Sequence, residues 1–75
     1  MSWAILTDTS GRRPTSALYC NTTDVVFGPV MYDADRQEVE DFVEMLGEDP
    51  RNIDDRELSA AWYSWRTARE QGWQL

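Results

Sequence analysis

The chain has 75 residues, a formal net charge of −7, a single cysteine, and neither histidine nor lysine. At this length it makes one domain, spanning 1–75, near the lower limit for a core without disulfides or metals. The missing residue types exclude a Ser-His or Cys-His nucleophile pair, a lysine Schiff base, a cysteine metal centre and an internal disulfide.

The first half predicts short strands between residues 2 and 32. Trp3-Ala4-Ile5-Leu6-Thr7 has strand-forming residues and stops at the turn Asp8-Thr9-Ser10-Gly11. Arg12, Arg13 and Pro14 extend that loop. Ala17-Leu18-Tyr19-Cys20 is a second strand and Asn21-Thr22-Thr23-Asp24 a second turn. Val25-Val26-Phe27 is a third, interrupted by Gly28-Pro29 and resumed or bent at Val30-Met31-Tyr32. Two to three short strands joined by tight turns predict an antiparallel meander.

The second half predicts two helices, over 35–46 and 54–71. Asp35 and Glu38 form a capping box, and Val39, Phe42, Val43 and Leu46 follow at i, i+3, i+4 and i+7. Gly47 stands where a left-handed C-terminal residue is needed, and Pro50 blocks continuation. Asp54 and Glu57 repeat the box, with Ile53 and Leu58 as its hydrophobic staple. Leu58, Ala61, Trp62, Trp65 and Ala68 make the apolar face, and Gly72 is the stop, with Trp73 placed to fold back over Ala68. The fold class predicted is α+β: a small antiparallel meander with a two-helix hairpin packed on it. No apolar run reaches membrane-helix length, and Met1–Asp8 is too short and polar for a signal peptide. With one cysteine, the expected location is a reducing cytoplasm. The sequon at Asn21 carries no weight there.

Charge is the main functional signal. Eleven of the fourteen acidic residues lie between Asp33 and Glu57, against Arg36, Arg51 and Arg56, so this stretch alone holds −8 and the rest of the chain +1. At 100° per residue, Glu40, Asp41, Glu44 and Glu48 fall opposite the apolar face of the first helix. Glu40, Glu44 and Glu48 read as an i, i+4, i+8 ladder of like charges, with no basic residue on the stripe to relieve it. A solvated face of an acidic protein is the plain reading. The sharper one is an anionic docking surface for a basic groove, in which carboxylates stand in for phosphates. By size and charge alone, this is similar to small nucleic-acid mimics of phages or mobile elements that block host defence or DNA-handling complexes.

Other residues suggest less. Trp62 and Trp65, at helical spacing, belong in the core. Tyr63 projects away from that face beside Ser59 and Arg66, and a Tyr/Arg pair on an exposed helix has the composition of an interface anchor or of a plain surface stack. Arg12 and Arg13 could hold a phosphate or carboxylate, or pair with the acidic helix, but are too few for a nucleic-acid site. Asp33-x-Asp35 resembles the start of a calcium loop, yet Glu38 stands where glycine is required. Paired carboxylates could cleave glycosides, but so small a domain leaves little room for a deep cleft. Cys20 reads as a small buried hydrophobe.

The resulting expectation is a non-enzymatic interaction module without metal or cofactor. It would dock through Glu40, Asp41, Glu44, Glu48, Tyr63 and Arg66 on a protein with a basic surface, binding neither nucleic acid directly nor a membrane. The alternative is a small self-associating or structural subunit that uses a sheet edge or exposed aromatics.

Overall fold

A computed structural model describes residues 3–72. Three strands, β1 (Trp3–Asp8), β2 (Thr15–Cys20) and β3 (Val25–Tyr32), precede two helices, α1 (Arg36–Leu46) and α2 (Asp55–Glu70). The strands form one antiparallel sheet in the order β1-β2-β3. The α+β architecture is thus the one the sequence predicts.

The turns are made by local side-chain chemistry. Asp8 accepts from the Ser10 N–H at 2.9 Å and its hydroxyl at 2.7 Å, closing the first loop. Asp24 donates its N–H to the Cys20 carbonyl at 2.8 Å and takes a left-handed φ of 60° to re-enter the sheet. Aspartate tolerates that conformation better than most residues.

The third strand departs from the expected interruption, because it runs through Gly28-Pro29 as one element. Leu18 faces Phe27 and Ser16 faces Met31, so Gly28, Pro29 and Val30 stand opposite Ala17 alone. Such a bulge bends a strand, and a proline is accommodated there on an edge. Gly28 has φ +71°, and a Cβ on it would lie 2.7 Å from Leu58 Cδ2. Glycine is therefore needed twice over, for backbone conformation and for the seating of α2.

One sheet face is covered. Ile5, Leu18 and Met31 point into a core with Val39, Phe42, Leu58, Trp62 and Trp65. The helices share an aromatic cluster: Phe42 meets Trp62 edge-on with centroids 5.1 Å apart, and Trp65 lies 5.5 Å from each. Trp62 and Trp65 are core residues, as their spacing predicts. Ser16 is the one buried polar residue among those described. It donates its hydroxyl to the Ala34 carbonyl at 2.6 Å and lies 3.0 Å from Thr7 Oγ1, tying the β3–α1 corner to the sheet.

The helix ends follow the capping signals with three differences. Asp35 accepts from the Glu38 N–H at 2.9 Å, and Gly47 ends α1 at φ 72°. The Glu38 carboxylate, however, is paired across the helices with Arg66 at 3.4 Å. Asp54 caps α2 through the Arg56 N–H at 3.1 Å rather than that of Glu57. The connection contains a 3₁₀ turn, Pro50–Asn52, capped by Asp49 through the Arg51 N–H. Gly72 takes φ 73° just past α2. The expected packing of Trp73 on Ala68 lies outside the described residues.

Candidate functional site

The apolar side of α1 buries Val39 and Phe42 completely, which turns Glu40, Asp41 and Glu44 to solvent. Two details of the acidic stripe differ from the sequence reading. Arg36, one turn earlier, donates its Nε to Glu40 at 3.1 Å, so Glu40 has a basic neighbour after all. Both partners are exposed, and an i,i+4 pair of this kind is worth only about 0.3–0.5 kcal/mol. Glu48 is exposed but lies beyond Gly47, where the left-handed turn takes the chain off the helix, so the i+8 step of the ladder does not form. Gln37 Nε2 donates to Asp41 at 3.0 Å, which holds that carboxylate on the helix surface.

Glu44 occupies an unfavourable position. It stands in the last stretch of α1, where the final turn holds no basic residue. The helix dipole leaves partial negative charge at that end, and the Gly47 N–H already bonds the Glu44 carbonyl there. Stability alone would place lysine or arginine at this site.

Tyr63 is 59 % exposed. It helps line a shallow cavity of about 250 Å³ at the seam of β3 and α2, together with Val30, Tyr32, Asp33, Arg66 and Glu70. The acidic residues of α1 named above are not among those lining it. Tyr63 and Arg66 thus come together, but apart from the acidic stripe.

Arg66 has an internal task. Its two terminal nitrogens donate to the carbonyls of Tyr32 at 2.6 Å and Asp33 at 2.7 Å, and its Nε faces Glu38. Its guanidinium lies over the Trp62 ring, 5.4 Å from the centroid. These charge-assisted bonds clamp the β3–α1 corner to α2 and spend the donors a partner would use. Sequence alone gives no sign of this, because both acceptors are backbone carbonyls more than thirty residues away. Tyr32, 67 % exposed beside the cavity, is the other residue the sequence did not single out. Of the loop arginines, Arg13 pairs with Asp33 at 3.2 Å, just ahead of the acidic helix rather than on it.

Cys20 is not a buried hydrophobe. It is half-buried, at the rim of a hollow of about 190 Å³ lined also by Thr23, Phe27, Arg51 and Ile53. Hydrogen bonds from the Thr23 side chain and backbone, aided by the Thr22 N–H and the nearby Arg51 charge, lower its pKa from 9.0 to about 7. Arg51 is held in turn by Asp49, with Nη2 2.6 Å from Oδ2. That contact keeps the Asp49 carboxyl below its ordinary range.

Among the described residues, no group of three or more acids and cysteines is placed to hold a metal ion. No described helix is long and apolar enough to cross a membrane. No protein-family model matches the chain, and no curated protein or solved structure matches it.

Proposed function

We propose that this chain is a non-enzymatic protein–protein interaction module whose acidic α1 surface docks on a basic surface of another protein. The observation that carries this reading is Glu44. An uncompensated carboxylate at a helix C-terminus, flanked by exposed Glu40, Asp41 and Glu48, costs stability without serving the core. A charge placed against stability is the kind of cost that a functional contact can offset. The partner surface is one rich in arginine or lysine, such as a groove that otherwise holds nucleic acid. Tyr63 is a second anchor in this reading, while Arg66 positions the scaffold beneath it.

The test is the triple variant Glu40→Gln, Glu44→Gln, Glu48→Gln against an immobilised arginine-rich peptide and a basic DNA-binding domain. The control removes the same charge elsewhere, by Asp24→Asn, Asp55→Asn and Glu57→Gln. The α1 variant should associate more slowly, lose its salt dependence and compete less well with DNA for the basic domain. The control should retain most of each effect. Equal losses in both variants, or binding that ignores salt, would reduce the acidic face to a solvated surface.

A further inference from the structure

Among the described residues, nothing covers the second face of the sheet that period-2 alternation sets up. Ala4 pairs with Tyr19, which pairs with Val26; one rung on, Leu6 pairs with Ala17. These side chains point away from the core that Ile5 and Leu18 enter. Leu6 is 46 % exposed and Val26 49 %. Antiparallel strands with one wet face normally alternate apolar and polar residues; a run such as Trp3-Ala4-Ile5-Leu6 is the pattern of a strand covered on both sides. The first charged side chain on this face is Asp8, at its last rung opposite Thr15, and its carboxylate is already bonded to Ser10.

We propose that this face is a self-association surface, on which a second copy of the chain packs sheet to sheet. The charge distribution admits that occupant in this arrangement. The chain carries −7, with the excess in the segment from Asp33 to Glu57, so copies repel wherever α1 is presented. Stacked sheets lie about 10 Å apart with both helix layers outside them, so the acidic helices are separated by more than the ~8 Å screening length. The uncovered face thus lets two copies meet without opposing their charged helices. Three strands, two of six residues and one of eight, outline roughly 300 Å² in projection. With side-chain relief, two copies bury on the order of 1,000 Å², at the low end of specific association, so the dimer is weak and concentration-dependent.

The inference is independent of the acidic docking site and is tested separately. Sedimentation of the full chain from micromolar to millimolar concentration should show a monomer–dimer equilibrium. Leu6→Glu and Val26→Glu should each raise the dissociation constant at least about tenfold, by setting like charges face to face. Val26→Thr, which keeps shape and strand preference, should weaken it a few-fold and guards against misfolding of the glutamate variants. In the wild type, a soluble paramagnetic probe should lose access to the Leu6 and Val26 methyl groups as concentration rises. Access to Glu44 should not change. Leu6→Glu should leave arginine-rich peptide binding intact, so the two proposals fail separately. A wild-type chain that is monomeric at millimolar concentration overturns the inference, even if the face captures a foreign protein. So does a dimer indifferent to both glutamate variants, or one that protects the edge amides of β1 or β3 instead.

Discussion

The outer side of α1 and the outer side of the sheet both face solvent, yet they are built oppositely. On α1 the two sides separate, Met45 apart: Val39 and Phe42 are fully buried, and Glu40, Asp41 and Glu44 are exposed. On the sheet, Leu6 and Val26 are exposed although their strands also supply Ile5, Leu18 and Met31 to the core. A helix turned fully to water shows it in a single charged stripe. A strand apolar on both faces has the pattern of one covered on both sides, although here only one side is covered among the described residues. The same small core thus supports one surface suited to basic partners and one suited to apolar contact.

The largest expected effect comes from removing what the two surfaces share. Trp62 contacts Phe42 and Trp65 and lies under the Arg66 guanidinium. Trp62→Ala should cost about 3–5 kcal/mol in denaturant unfolding, much of the stability available to so small a domain. Peptide binding and dimerisation should then fail together. A variant that keeps one and loses the other would show that the surfaces do not depend on a common core.

A chemical reporter sits at one end of the sheet, in the hollow beside Arg51 and Ile53. Cys20 pairs with Trp3 and Val25 on the last rung of the covered face. With its pKa lowered to about 7 by Thr23, alkylation by iodoacetamide should rise through an inflection near neutral pH and not near 9. The lowered value also means that ionised Cys20 favours the folded state. That contribution is present above the unfolded pKa and is lost as pH falls through about 7. Thr23→Val should move the inflection upward. An inflection unchanged by that substitution would remove the Thr23 hydroxyl as the cause.

The smallest effect sharpens the comparison most. Glu44→Gln should stabilise the fold by about 0.3–0.5 kcal/mol, by removing an acid from a helix C-terminus and a like charge four residues from Glu40. A higher denaturation midpoint with an unchanged slope is the readout. A loss of stability would mean that Glu44 supports the fold, and the acidic face would lose its main support as a docking site.

What the sequence revealed and what it hid divide along physical lines. Helix limits were legible because Asp35, Gly47, Asp54 and Gly72 act on their own backbone within a few residues. The aromatic core was legible because Trp62 and Trp65 obey the helical period. The continuity of β3 was hidden, since Gly28-Pro29 reads as a break unless Leu58 is known to press on Gly28. The separation of Arg66 from the docking set was hidden because carbonyls of Tyr32 and Asp33 occupy it. Glu48 was misplaced by carrying a helical angle through a residue at positive φ.

The hydroxyl of Ser16 acts as a register key for the whole sheet. It fits only where Thr7 lies on one side and the Ala34 carbonyl on the other. A one-residue slip of β2 would turn this hydroxyl outward, leave the Ala34 carbonyl without its donor, and exchange every inward side chain for its outward neighbour. In a sheet with apolar residues on both faces, hydrophobicity alone distinguishes the two registers poorly. A single buried serine then decides which set of side chains is enclosed and which is offered to the surroundings. It also penalises the misregistered pairings through which apolar strands aggregate.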